Sequence, residues 1–315
     1  MIPLSFQTTF SATSQILLMG GCGYFLMRQK IIQEEGLQMF SGLVVNFFLP
    51  CFILNQFLKN FDFALYPHWW IFPLISFGVT LSGFAVGQAM IHFFSEITFK
   101  KEFVSLVSFQ NSGYLPLILV TTIFPAQQAQ TLYVYICLFL IGFDLVLWSL
   151  GVWSLTSRKA KRFELKNIIH SPVVTIFIAL ALVSLGVQKW IPDLVLKPLK
   201  LFGDCTLPLS MLVVGGNLAG LKFSQMDFRE IGFFLMAKLV ILPLFALILV
   251  TALHLDPLIG FLIVLEAAVP SAVSLSVIAK HYKIEERFIN QGLVISHLAS
   301  IITIPIFLML YANKG

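Results

Sequence analysis

Charged side chains are scarce in this chain of 315 residues: 11% of the residues are Asp, Glu, Lys or Arg, whereas 58% are hydrophobic. A soluble globular protein has about 25% charged residues. A single soluble core of this length cannot hide so much apolar surface. The composition therefore excludes a soluble globular protein and predicts an all-α membrane protein that has the lipid bilayer as its solvent.

Enzyme signatures are also missing, since the chain has no Walker loop, GxSxG elbow, HExxH pair or Rossmann glycine fingerprint. We therefore expect neither an enzyme nor an ATP-driven pump that carries its own nucleotide domain, and no cofactor beyond a proton or sodium ion that could couple transport. The cysteines fall within hydrophobic segments, at spacings that fit no metal motif. They are Cys22, Cys51, Cys137 and Cys205. We expect free thiols and no metal site.

Hydrophobic runs long enough to cross a bilayer, about 20 residues each, recur through the whole chain. The N-terminus lacks the basic region of a cleavable signal peptide, so we expect the first run to be retained as a span. Ten segments qualify, at 8–27, 39–58, 69–94, 103–124, 131–155, 172–190, 202–221, 231–253, 257–279 and 288–311.

The basic residues predict the orientation of these spans. Fourteen of the 20 Lys and Arg residues follow spans 1, 3, 5, 7 or 9. Because cytoplasmic loops are enriched in Lys and Arg, both termini should lie outside a cell (inner) membrane that the chain crosses many times. The net charge of +5 then reflects topology, and we expect the lipid bilayer, not a nucleic acid, as a partner.

A basic stretch at the midpoint, residues 157–170, divides the chain into two halves, 1–156 and 171–315, with five spans each. Because five is odd, two copies of such a unit must be inverted relative to each other. Span 2 contains NFFLP and span 7 contains DCTLP, while Pro116 and Pro270 occupy matching places in spans 4 and 9. Inverted repeats with broken helices are typical of secondary transporters. The alternative is that these prolines merely kink membrane helices.

Span 4 contains VSFQNSGYLPLILV, in which polar and helix-breaking residues stand together. Proline cannot donate a backbone hydrogen bond, and glycine readily leaves helical geometry. The segment should therefore be unwound near mid-membrane, where Asn111 and Ser112 would offer donors beside a half-helix N-terminus, a natural anion site. A kinked helix with amides bonded to its neighbours is the alternative.

Span 9 places Glu266 four residues before Pro270, with Ser271 and Ser274 following. A carboxylate at this depth costs roughly 3 kcal/mol or more unless it is protonated, paired or hydrated. Two roles stay open for Glu266: it carries a proton, or it forms a salt bridge with Lys238, the lysine inside span 8. Both can hold in different states of a transport cycle.

Two further candidates are repeat mates. Asp204 opens the DCTLP stretch, and the equivalent position carries Asn46. This pair fits one cation or proton site with a vestigial twin, or an interfacial Asp that caps span 7. Gly215, Gly216, Asn217 and Gly220 in span 7 offer a small face for close helix packing, with substrate contact as the alternative.

Span 9 and its continuation resemble the end of the auxin efflux carrier family. The shared features are Pro270 among small residues, the exit Ala279-Lys280-His281-Tyr282, and Pro305 in the last span. Span 7, with PLSMLVVGGNLAGL, is similar to the family's glycine-containing seventh helix. The resemblance extends over nearly the whole chain.

The resemblance implies that spans 4 and 9 are broken helices that cross near mid-membrane, with the substrate at the crossing. Spans 1, 2, 6 and 7 would form a scaffold and the others a moving transport domain. Family members export or exchange organic anions, including auxin and dicarboxylates such as malate, and some form homodimers.

The chain departs from the family pattern at two places. Some plant members have Pro-Asn at the first crossover, where this chain has Gln110-Asn111, with Pro116 five residues after Asn111. Glu266 stands where plant members tend to carry a neutral amide, so their coupling mechanism need not apply.

These observations predict a secondary transporter of a small organic carboxylate anion. The alternatives are a sodium-coupled organic anion symporter of the bile-acid type and a membrane ligand sensor. The candidate substrate-binding residues are Gln110, Asn111, Ser112, Tyr114, Pro116, Pro270, Ser271 and Ser274. The coupling candidates are Glu266, Asp204, Lys238 and Asn46.

Overall fold

The computed structural model describes residues 5–156, 171–220 and 227–314. Within these ranges the chain is helical, and β-type pairing is limited to one isolated bridge. The basic linker 157–170 lies outside the described residues. The helices are α1 Phe6–Arg28, α2 Glu34–Asn60, α3 Ile71–Phe93, α4 Lys100–Ser108, α5 Tyr114–Ile123, α6 Ala126–Thr156, α7 Ser171–Ser184, α8 Asp193–Ala219, α9 Phe228–Ala252, α10 Pro257–Ala268, α11 Ser274–His281 and α12 Arg287–Ala312.

Six of these helices are long and apolar enough to cross a membrane, namely α2, α3, α6, α8, α9 and α12. Three shorter apolar helices, α5, α7 and α10, accompany them. Many large hydrophobic side chains are exposed on the outer surface, among them Phe25, Phe93 and Ile302. Such a surface suits lipid rather than water. The chain is therefore a multi-pass membrane protein.

Two helices begin earlier than their hydropathy predicts. The predicted spans start at residues 39 and 202, whereas the helices start at Glu34 and Asp193. The first turns of α8 are polar and carry two ion pairs, Asp193 with Lys197 and Lys200 with Asp204. The partners of each pair are four residues apart, about one helical turn. Pairs at this spacing stabilise a helix without adding hydropathy, so the pattern of apolar residues misses these turns.

Three helices in the described part of the chain contain a π turn, at Val44–Phe48 in α2, Leu147–Gly151 in α6 and Ala237–Ile241 in α9. In α2 and α9 a Leu-Pro pair follows directly. Because proline lacks an N–H group, the regular hydrogen-bond pattern cannot continue through it, and the preceding turn widens.

Two sets of helices can be distinguished, although α1 of the first set also packs on α12 and α5 of the second. In the first set, α1 lies along α8, and α2 packs on α7 and α8. In the second, α3 packs on α4 and α6, while α10 packs on α9 and α12. The first set contains the helices that the resemblance assigns to the scaffold, and the second contains those assigned to the transport domain.

Close backbone contact holds α1 against α8. A Cβ atom at Gly215 would meet the carbonyl group of Gly20, and one at Gly23 would meet the backbone of Leu212. A Cβ atom at Gly216 would press on the side chain of Leu37. The predicted packing role of Gly215 and Gly216 is therefore confirmed, and small residues let these helices approach closely.

Candidate functional site

The polar segment of span 4 is a break between two helices. Helix α4 ends at Ser108, Phe109 is extended, and α5 begins at Tyr114. Pro116 is the third residue of α5, where its missing N–H group interrupts no hydrogen bond. The break therefore falls on Gln110, Asn111 and Ser112, the residues whose side chains can bond in place of the helix.

Span 9 has an equivalent break. Helix α10 ends at Ala268, Val269 is extended, and α11 begins at Ser274. Pro270 stands inside this break and cannot donate a backbone hydrogen bond. Ser271 is fully buried. The freed backbone groups of both segments must find partners within the protein, because lipid offers none.

Backbone hydrogen bonds join the two breaks to each other. The N–H of Asn111 donates to the carbonyl of Pro270 at 2.8 Å, and the N–H of Ala272 donates to the carbonyl of Phe109 at 2.9 Å. Gln110 and Ser271 form the isolated antiparallel bridge. The hydroxyl of Ser271 also donates to the carbonyl of Leu106, at 2.6 Å. The broken helices thus cross through a short strand-like pairing.

Two half-helices start at this crossing. Among the described residues neither α5 nor α11 has a side-chain N-cap, and in α11 the N–H groups of Leu275 and Ser276 donate to the carbonyls of Ala272 and Val273. The partial positive charge of a helix N-terminus attracts anions. Ser112 precedes α5, and the half-buried Tyr114 and Ser274 are the first residues of α5 and α11. The crossing can therefore supply donors to a bound anion.

A cavity of about 310 Å³ lies beside the crossing, between α1, α8 and α12. Of the candidate substrate-binding residues, Asn111 is the one that lines it. The rest of the wall is mainly apolar. It consists of Thr13, Ile16, Leu17, Gly20, Gly21, Tyr24, Leu115, Met211, Val214, Leu218, Val294, His297, Leu298, Ser300 and Ile301. An apolar cavity with a few polar groups at one place is the usual form of a site for a small organic ligand.

His297 is a site residue that the sequence reasoning missed. It is buried in α12, and its Nε2 atom lies 3.3 Å from Nδ2 of Asn111. Its Nδ1 atom lies 2.7 Å from the carbonyl oxygen of Leu293. A histidine inside an apolar span was the available signal, because such a residue needs polar partners at that depth.

Glu266 is not part of the cavity wall and lies in the packed core. Its side chain is fully buried, and among the described residues neither carboxylate oxygen has a hydrogen-bond partner. Ser112 lies beside it, and the charge of the buried Lys238 acts on it from α9. Within the described ranges the hydroxyl of Ser112 and Nε2 of Gln110 also lack partners. The crossing thus has a second polar group of side chains, formed by Ser112, Lys238 and Glu266.

Asp204 and Asn46 lie elsewhere. Asp204 is exposed on α8 and pairs with Lys200 at 2.5 Å. Asn46 is exposed in the π turn of α2 and donates to the carbonyl of Gly42 at 3.0 Å. The structure therefore groups Glu266 and Lys238 at the crossing and leaves these two repeat mates at the surface.

Metal-binding groups are not found in the described ranges, which contain no set of three His, Cys, Asp or Glu side chains placed to hold an ion. The four cysteines are free thiols, with Cys51 and Cys137 buried.

Comparison with known proteins identifies the family. The model of a family described as membrane transport protein matches residues 8–163 and 155–308. An uncharacterized transporter of Saccharomyces cerevisiae is 28% identical over 160 residues, which make up 47% of this chain and 27% of the yeast protein. The chain thus matches well under half the length of that relative. Since the family match includes both broken helices and nearly all of the sequence, the chain belongs to the membrane transport protein family, the auxin efflux carriers that its motifs resemble.

Proposed function

We propose that the protein is a secondary transporter that moves a small organic carboxylate by alternating access. The observation that carries this proposal is the pairing of two broken helices, with Asn111 facing a cavity between helices. The cavity of about 310 Å³ is at the lower end of the roughly 300–1,000 Å³ typical of ligand pockets. Half-helix N-termini and the Asn111 amide would hold the carboxylate, and the apolar wall would hold the rest of the molecule.

We also propose a topology of ten spans in two inverted halves, 1–156 and 171–315. The order of the helices supports it, because α4 with α5 and α10 with α11 each take the place of one broken span, fourth in its half. The basic loops favour a cell (inner) membrane with both termini outside. The first set of helices would then be the scaffold, and the second set would be the moving domain.

Glu266 and Lys238 are the coupling residues that we favour. Both are buried, and their opposite charges act on each other across the packed helices. A proton that enters or leaves this pair changes its net charge, which alters the cost of burying it. Proton movement at the pair can therefore be linked to movement of the crossing.

Sodium-driven symport is the second candidate. The observation in its favour is that, among the described residues, both oxygens of Glu266 and the hydroxyl of Ser112 lack hydrogen-bond partners, and sodium prefers oxygen ligands. The buried Lys238 side chain already acts on Glu266 from α9, so we favour the first candidate. Flux that requires a sodium gradient and ignores a pH gradient would reverse this preference.

A thermal-shift screen of carboxylates, each with the purified wild type and Asn111→Ala, tests the proposed site. A ligand at 100 times its Kd stabilises the folded protein by about 2.7 kcal/mol. We expect at least one monocarboxylate or dicarboxylate to raise the melting temperature of the wild type but not of Asn111→Ala. Equal shifts of the melting temperature in both proteins would show that the ligand binds at a place other than the crossing.

A further inference from the structure

The hydrogen bonds of His297 define its protonation state in this structure. The carbonyl oxygen of Leu293 can only accept a hydrogen bond, so Nδ1, 2.7 Å away, carries a proton and donates it. The amide nitrogen of Asn111 can only donate, so Nε2, 3.3 Å away, accepts. His297 is therefore a neutral ring with its lone pair directed at Asn111.

This neutral arrangement does not suit an anion. A carboxylate has no proton to offer, so it cannot bond to the lone pair of Nε2. Bringing an unpaired carboxylate into a mainly apolar cavity is also costly. With these hydrogen bonds, His297 therefore offers no donor to a carboxylate.

One proton at Nε2 gives His297 the hydrogen-bond donor that a carboxylate requires. The ring becomes a cation with two N–H donors. Its Nε2–H group can bond to the carboxylate, or to Oδ1 of Asn111 once the amide has turned over. In the second case the NH₂ group of Asn111 is released to the ligand. Each arrangement supplies one positive charge and at least one new donor for the anion.

We propose that His297 is the proton acceptor of the substrate site and takes up one proton for each carboxylate that binds beside Asn111. The inference rests on the proposed function and adds to it that anion and proton occupy the cavity together. The loaded cavity is then electrically neutral, so the moving helices carry no net charge on account of a monocarboxylate.

The other ionisable groups near α12 do not share this position. Tyr24 of α1 is the one other titratable side chain in the described cavity wall. Glu266 of α10 and Lys238 of α9 are buried in the core cluster and act on each other. On the remaining packed helices, Glu230 of α9 accepts from the N–H of Phe99, Lys280 of α11 pairs with Glu34, and Lys100, Lys101 and Glu102 stand in the first turn of α4.

Calorimetry on the purified full-length chain tests this proposal, with phenylacetate as a monocarboxylate probe and malate as a dicarboxylate probe. Binding is measured at about pH 6, 7 and 8, in two buffers that differ in ionisation enthalpy. We expect the Kd of phenylacetate to rise about tenfold per pH unit, because one proton is bound with the ligand. The difference in heat between the buffers should correspond to about one proton.

Two histidine variants complete the test. His297→Gln can still form hydrogen bonds but cannot take up a proton, so its Kd should not depend on pH. His92→Gln makes the same change at an exposed histidine of α3 and should behave like the wild type. If His297→Gln does not fold, the proposal is tested by the proton uptake of the wild type, measured from the heats in the two buffers.

Three results would overturn the inference. If the wild type binds a probe without taking up a proton, the inference about His297 is wrong, whereas the transporter proposal is unaffected. Proton uptake that persists in His297→Gln would assign the proton to another group. A lack of binding of both probes at every pH would remove the carboxylate site, and this inference with it.

Discussion

Single residues at the crossing divide into two environments. Asn111 and His297 face the cavity, where a ligand can reach them. Glu266 and Lys238 are enclosed in the core, where only other protein groups and small ions can reach them. The division places the proposed binding of substrate and of the His297 proton at the cavity and the Glu266–Lys238 pair in the core, although both environments depend on the same break in span 4.

The pair of Lys238 and Glu266 yields a prediction about stability. Lys238→Met should destabilise the protein by about 3–5 kcal/mol, because it leaves a buried carboxylate without a compensating charge. The double variant Lys238→Met/Glu266→Gln should recover most of this loss, because no buried charge remains. Melting temperatures of the purified variants measure both effects.

Lys189→Met is the matched control, since Lys189 is exposed near the end of span 6. It should melt within a few degrees of the wild type. If the double variant is as unstable as the sum of its single changes, the two side chains do not compensate each other.

Sequence reasoning at this scale found the residues that break a helical pattern. Asn111 and Glu266 stand out because they are polar beside glycine or proline in apolar spans. His297 was missed because its helix continues regularly past it, and its partner Asn111 is 186 positions away in the chain. The sequence pattern also does not reveal that Asp204 pairs locally with Lys200, since α8 begins at Asp193, before the predicted span, and Lys200 lies in that earlier part.

Helices α1 and α8 form both a tight contact and a cavity wall, and glycines serve each purpose. Gly215 has no room for a side chain because of the backbone of Gly20. Gly21 lines the cavity, and a Cβ atom there would have no neighbour within 4 Å. Gly215 of α8 and Gly21 of α1 therefore differ in the side chains that they tolerate.

Substitution of these glycines should separate binding from stability. Gly21→Leu should fill part of the cavity and abolish carboxylate binding, while the melting temperature stays near that of the wild type. Gly215→Ala should force α1 and α8 apart and cost about 1–3 kcal/mol, as overpacking does. Thermal melts with and without ligand measure both. Unchanged ligand shifts in Gly21→Leu would contradict the assignment of this cavity.

The sequence predicted the positions of the breaks but not how they pair. Gly113 and Pro270 indicate where regular helices end, and the family resemblance implied a crossing. The residues that join are Gln110 and Ser271, whereas the sequence comparison aligned Pro116 with Pro270. Pro116 fits the first turn of α5, so proline spacing marks the neighbourhood of the break rather than the contact itself.

At the scale of the whole molecule, one ion pair joins α2 of the first set to the crossing half-helix α11. Nζ of Lys280 lies 2.8 Å from Oε1 of Glu34. Both side chains are more than half exposed, so the pair contributes at most about 1 kcal/mol. That energy still shifts a two-state equilibrium about fivefold, and the contact would hold the two sets in the conformation described here.

Charge reversal tests this contact. Lys280→Glu should change the initial rate of exchange about two- to fivefold, because repulsion from Glu34 favours the other conformation. The swapped variant Glu34→Lys/Lys280→Glu should return the rate toward that of the wild type. A swapped variant that behaves like Lys280→Glu alone would show that the pair does not set the equilibrium.

Solute counterflow in proteoliposomes tests the central claim most directly. Vesicles loaded with an unlabelled carboxylate identified by the thermal-shift screen are diluted into the labelled compound, with wild type, with Asn111→Ala or without protein. We predict saturable accumulation with the wild type and only the protein-free background with Asn111→Ala, at equal melting temperatures. Counterflow through Asn111→Ala at the wild-type rate, or ligand binding by the wild type without any counterflow, would contradict the account.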